Sequence, residues 1–200
     1  METKHERILT AAYRLIARRG FRKVTMSEIA EAAAMSRPTL YAAFSSKEAI
    51  LDEIATRHGE QRNAEIAARL PEARTLEDRL GVILQIWVIE PVAAIIDSPN
   101  GLDLLGNAAL YAPEACAALY ANLETHLRGV LSPAMSSNSR LSPRDLAHIM
   151  TTATKGLKAA TTSLADLRRM IDGLIAMAVA TAVGSGEPAG RADSAKPKKR

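Results

Sequence analysis

The residues best placed to do chemistry in this 200-residue chain are cations gathered at one end. Over residues 1–47 nine Lys and Arg face four Asp and Glu. Residues 48–186 reverse that balance, with twelve basic against sixteen acidic, and residues 187–200 return to five against two. A basic head, an acidic middle and a basic tail give the head an electrostatic reason to approach phosphate. Catalytic constellations are missing. There is no Gly-rich phosphate loop, no nucleophile elbow and no cluster with metal-ligand spacing. His58, His126 and His148 stand far apart, and the single cysteine, Cys116, has no adjacent basic residue and reads as a small buried apolar group. An enzyme and a metal site are therefore not expected, and no cofactor is implied.

Apolar residues make up 48% of the chain and aromatics only 4%. Alanine and leucine fill much of the apolar share, which favours helix over strand. One cysteine excludes an intramolecular disulfide framework and agrees with a reducing cytoplasm. The charged N-terminus lacks the apolar stretch of a secretory signal. The uncharged run at 173–186 holds about a dozen apolar or small residues, fewer than the ~20 a membrane span needs.

The elements that would carry the cations read as four helices in quick succession. In the first, Ile8, Leu9, Ala12, Leu15 and Ile16 recur at helical spacing, and Gly20 ends it in a left-handed conformation. Thr25 and Glu28 form a capping box at the start of the second, whose inner face is Met26, Ile29, Ala30 and Ala33. Ser36 caps a short third helix, with Pro38 tolerated in its first turn and Leu40 and Phe44 on its buried side. Ser45 and Glu48 make a second capping box for a fourth helix running to His58 or beyond. The second and third helices form a helix-turn-helix: small residues sit where the two cross, Met35 plugs the junction, and the outward N-terminal side chains of the second member face a major groove.

The stretch TMSEIAEAAAMSRPTLYAAFSSKEA at 25–49, preceded by the Ile8–Leu9–Ala12–Gly20–Phe21 spacing, resembles the DNA-binding signature of the tetracycline-repressor (TetR) family over about residues 5–51. The resemblance implies roles position by position. Thr25 would offer its hydroxyl and the helix-start amides to a phosphate. Arg37 and Thr39, after the cap Ser36, would read base edges, Arg37 by bidentate bonding to guanine. Tyr41 would meet a phosphate or a thymine methyl, and Lys47 would contact phosphate. Two departures stand out. Ala34 occupies the turn position usually held by glycine, which predicts a slight relaxation of the turn. Ala42 and Ala43 replace polar or aromatic groups and remove phosphate donors. A solvated charged surface is the competing reading of Arg18, Arg19, Arg22 and Lys23, and simple packing that of Tyr41.

Beyond the head the pattern stays helical, punctuated by prolines. Pro91 falls inside the apolar stretch 82–96 and should kink or divide it. Residues 132–142 form a polar loop, and two helices follow at about 143–164 and 167–183. The expected organisation is all-α: a helix-turn-helix DNA-binding domain at 1–47, a helical effector-binding and dimerisation domain at 48–184, and a disordered basic tail at 185–200. By resemblance the middle holds an effector pocket for a small, apolar or aromatic molecule. Trp87 and Tyr111 are candidate walls and Glu90 and Asn107 candidate polar discriminators. Ordinary core is the other reading of the two aromatics. The C-terminal helices would pair in a homodimer, placing two recognition helices one DNA turn apart on a pseudo-palindromic operator. A helical interaction protein that has lost operator binding is the alternative.

Overall fold

The structure is a computed structural model and describes residues 3–137 and 139–184. The tail expected to be disordered, with its basic run at 196–200, lies outside the described residues. Ten α-helices and no strand are found among the described residues: α1 Lys4–Arg19, α2 Met26–Ala32, α3 Arg37–Ala43, α4 Lys47–Arg69, α5 Leu76–Leu84, α6 Glu90–Ala93, α7 Gly101–Tyr111, α8 Pro113–Leu131, α9 Pro143–Ala160 and α10 Leu164–Val183. The all-helical expectation therefore holds. No helix among the described residues is long and apolar enough to cross a membrane.

Local chemistry explains most of the helix ends. Thr25 caps α2 reciprocally with Glu28, and the Ser36 hydroxyl accepts the Thr39 amide at the start of α3. The α4 cap differs from expectation. Ser46, not Ser45, accepts the Ala49 amide, so Glu48 sits one position too early for a capping box. Gly20 closes α1 with φ +86° and ψ 143°, a positive φ outside the left-handed helical well that only glycine adopts at low cost. The junction of the last two helices lies earlier than expected: α9 stops at Ala160 rather than near 164, and α10, capped by Ser163, begins at Leu164 rather than near 167.

Pro91 divides its apolar stretch in a specific way. Gln85–Ile89 widens into a π turn, and the Glu90 amide donates to the Gln85 carbonyl five residues back. A proline ring clashes with the carbonyl four residues earlier, here that of Trp87, and brings no amide to bond it. The wider turn relieves both problems, and π turns inside helices have such local causes.

Two apolar clusters organise the chain. One is built from Ile8, Ile16, Ile29, Leu40, Phe44 and Ile50 of α1–α4 and extends to Ile95, Leu104 and Ala115. The other joins α5, the π turn, α8, α9 and α10 through Leu80, Leu84, Trp87, Leu127, Met150 and Ile171. α4 contributes to both, with Ile50 and Ile54 in the first and Ile66 in the second. Gly59 on α4 lets α8 approach: a Cβ there would stand 3.0 Å from a Leu119 methyl.

Candidate functional site

The junction between α2 and α3 is a Schellman turn. The Met35 amide donates to the Ala30 carbonyl and the Ala34 amide to the Glu31 carbonyl, both at 3.0 Å. Ala34 carries φ +52°, so the expected relaxation does not occur: the left-handed geometry is kept with alanine in it. Two hydrogen bonds of about 1 kcal/mol each offset a strain of roughly 1–2 kcal/mol.

That turn sets the outward face of α3. Leu40 is fully buried and Phe44 nearly so, while Arg37, Thr39, Tyr41, Ala42 and Ala43 are exposed. Tyr41 is 53% exposed, far more than a packing role would leave it. Ser36 and Thr39 hydroxyls lie 2.8 Å apart, which fixes the Thr39 rotamer at the start of the helix. Exposed Arg22 and Lys23 stand in the connection before α2.

Two other predicted residues are partly engaged inside the protein. The Thr25 hydroxyl bonds the Glu28 carboxylate at 2.9 Å and accepts the Glu28 amide at 3.3 Å. Bonds from the Thr25 backbone and side chain, with Arg19 beside it, hold the Glu28 carboxyl below the usual range. The Lys47 ammonium donates to the Phe21 carbonyl at 2.8 Å and the Val24 carbonyl at 3.1 Å, and sits 4.4 Å from the Phe21 ring centre. It clamps the connection between α1 and α2 to α4 and keeps one N–H for another partner.

Behind the head lies a cavity of about 120 Å³ between α1, α4, the π turn, α7, α8 and α9. Its walls are mostly apolar, among them Leu51, Ile54, Trp87, Leu104 and Leu119, with Tyr13, His58, Arg62, Cys116, Tyr120 and Lys158 as the polar members. A wider cleft of about 600 Å³ opens beside α5, but Arg69, Glu72, Glu77, Asp78 and Asp172 line it. Its charged lining suits solvent better than an enclosed ligand.

Of the predicted pocket residues only Trp87 borders the cavity, 3% exposed. Glu90 faces an outer groove and accepts from Arg69 at 3.1 Å and Gln85 at 3.2 Å. Asn107 bonds Asp103 on its own helix. Tyr111 stacks on Phe21 with ring centres 4.2 Å apart, which ties α7 to the head. The cavity's polar residues were missed because no local spacing joins them. Lys158 and Cys116 are 42 positions apart in sequence. Burial raises the Cys116 thiol, and the Lys158 charge only partly opposes this.

Residues 8–54 match the family described as bacterial regulatory proteins, tetR family. That stretch is a TetR-type DNA-binding head. The match covers the TetR head, α1 to the middle of α4. A curated relative, the uncharacterized HTH-type transcriptional regulator YvkB of Bacillus subtilis (strain 168), is 33% identical over 64 residues. That stretch spans 32% of this chain and 34% of the relative, about a third of its length. Solved structures extend the likeness in fold over most of this chain. A transcriptional regulator from Rhodococcus sp. Rha1 superposes with a TM-score of 0.72 at 15% identity, covering 92% of this chain and 100% of that one. The TetR-family repressor FadR of Thermus thermophilus, solved with lauroyl-CoA, gives 0.65 at 22% identity, covering 94% and 100%.

Proposed function

We propose that this protein is a ligand-responsive transcriptional regulator that binds a pseudo-palindromic operator as a homodimer, most simply as a repressor released by its ligand. The observation that carries the reading is the exposed face of α3, where Arg37, Thr39 and Tyr41 project from a helix anchored by Leu40 and Phe44. An arginine at the start of a recognition helix can bond guanine through two N–H groups, which discriminates bases by about 1–3 kcal/mol. The division of labour follows: residues 1–47 bind DNA, and 48–184 take up ligand and dimerise.

Dimerisation is supported by apolar side chains left on α9 and α10. Ile149, Met170, Met177 and Val183 are 48%, 41%, 63% and 69% exposed. These two helices would pack against their twofold mates as a four-helix interface. Ligand response is supported by the cavity, which touches both α1 and α4. A molecule seated there would act on the angle between head and body through its differential affinity for two arrangements. The lauroyl-CoA bound by FadR of Thermus thermophilus shows that a protein of this fold holds a small molecule.

The test is binding of the purified protein to genomic fragments, including its own upstream region, across a salt series. A protected pseudo-palindrome with a steep salt slope is expected. Arg37→Ala should weaken specific binding by about 10- to 100-fold and relax one position of the site. Lys47→Ala should lower the salt slope by about one. Because Lys47 also holds the head together, its melting curve is compared alongside. Ala42 and Ala43 favour a second reading, an interaction protein without an operator. Weak binding, indifferent to sequence and to Arg37→Ala, would establish that reading instead.

A further inference from the structure

We propose that the cavity's ligand is a small organic anion, a carboxylate on a compact apolar body, held between Lys158, Arg62 and the indole N–H of Trp87. This rests on reading the cavity as the effector site. The argument begins with an imbalance: donors converge on the cavity and no acceptor answers them. The Trp87 Nε1 is buried without a hydrogen-bond partner among the described residues. Neither Lys158 nor Arg62 is within ion-pair distance of a carboxylate there, although five other pairs form elsewhere. Their nearest compensation is aromatic: Lys158 Nζ lies 4.6 Å from the Tyr120 ring centre and the Arg62 guanidinium 5.4 Å from that of Trp87. Ring faces offset only a small part of the cost of desolvating a cation.

The other titratable groups around the cavity do not supply the missing charge. Tyr13 on α1 and Tyr120 and Cys116 on α8 are pushed up by burial, so all three are neutral at pH 7. Burial pulls His58 on α4 down, which keeps it neutral as well. Lys155 on α9 adds a further cation at the rim, its Nζ 4.3 Å from the Tyr120 ring centre. Glu65 and Glu90 act on Arg62 only at longer range, and Asp52 acts on Cys116 from outside the lining. Burial, with the like charge of Arg62, brings the Lys158 ammonium down to about 8.

Ligand classes can be separated on this basis. A cation would meet two like charges. A neutral apolar molecule would exclude water while leaving three donors unpaired, which is costly. A carboxylate supplies acceptors and the opposite charge together. The volume of about 120 Å³ is below the ~300–1,000 Å³ of most drug-sized sites, so the apolar body is one ring or a few carbons.

Trp87 is the only tryptophan in the chain, so its fluorescence reports occupancy directly. The full chain is titrated with benzoate, phenylacetate and hexanoate and with their amides, at pH 6.5 and pH 9. At least one carboxylate should bind tenfold or more tightly than its amide at pH 6.5, and that preference should shrink at pH 9 as Lys158 loses its proton. Lys158→Met should remove the preference without lowering the melting temperature, and Lys158→Arg should restore much of it. Lys158→Gln serves the same purpose should the methionine variant fail to fold. The proposal is overturned if no carboxylate binds, if none is preferred to its amide, or if the preference survives Lys158→Met and Lys158→Gln. An amide that changes both Trp87 emission and operator binding would then leave the effector reading standing. Silence from every compound in both measurements would count against the two together.

Discussion

The head and the cavity behind it treat polar groups in opposite ways. In the head the starts of α2, α3 and α4 are each settled by a neighbour three residues away: Thr25 with Glu28, Ser36 with Thr39, and the Ser46 hydroxyl with the Ala49 amide. The long-range clamp from Lys47 to the Phe21 and Val24 carbonyls finishes the job. Around the cavity, side chains from several helices bring donors together and leave them without acceptors, Trp87 Nε1 among them. A surface that must fit a stiff duplex gains from being settled before DNA arrives. A site that must change state on binding gains from lacking a partner that the ligand then supplies. One of the places where the two regions meet is Asn100. Asn100 donates through its amide side chain to the Arg18 carbonyl at 2.7 Å and through its backbone to the Ala17 carbonyl at 3.0 Å. It caps α1 from the far side, and its neighbours in sequence, Ile95 and Leu104, line the cavity.

The strongest way to break that arrangement is Gly101→Ala. A Cβ at Gly101 would stand 1.8 Å from the Ile95 carbonyl oxygen, a backbone atom that cannot move without opening the turn that carries Asn100. We expect a loss of about 4 kcal/mol, at the top of the range for single substitutions, read by urea unfolding followed through Trp87. A loss under about 1 kcal/mol would mean the link is soft and the two regions are mechanically independent.

Asn100→Ala is a gentler cut at the same point. It removes the side-chain bond to Arg18 and leaves the backbone bond to Ala17, so about 1 kcal/mol of stability should go. Operator affinity without ligand should stay within threefold, while the ligand's effect on that affinity falls. An unchanged ligand effect would move the coupling to another contact between the regions, such as the Tyr111–Phe21 stack or α4, which belongs to both apolar clusters.

The same contrast explains what could be read from the sequence. Capping residues, the glycine after α1 and the apolar spacing of α2 and α3 are decided within a few residues, and a linear pattern displays them. Lys158, Arg62 and Cys116 enter one cavity only because α4, α8 and α9 pack together, and no local rule brings them into register. Trp87 was legible as a large aromatic in an apolar stretch. Glu90, Asn107 and Tyr111 have side chains suited to a pocket wall, but the packing directs them elsewhere. The π turn shows the limit most clearly: Pro91 announces a disruption, but whether the helix kinks, breaks or widens depends on what surrounds it.

The smallest expected effect sharpens the comparison most cleanly, because it is confined to the head. Ala34 holds φ +52° inside an intact Schellman turn, so its methyl is strained while every hydrogen bond of the turn is made. Ala34→Gly removes the strain, roughly 1–2 kcal/mol, and gives part of it back because glycine loses more freedom on folding. A net gain of about 0.5–1 kcal/mol should appear as a higher urea midpoint with unchanged slope. Because α3 is already held in place, operator affinity should not move by more than about twofold, and carboxylate binding at Trp87 should not move at all. Tighter operator binding would show instead that strain at Ala34 is transmitted into α3. The head would then be tuned from its own turn as well as from the cavity, and its apparent self-sufficiency would be the weaker half of the comparison.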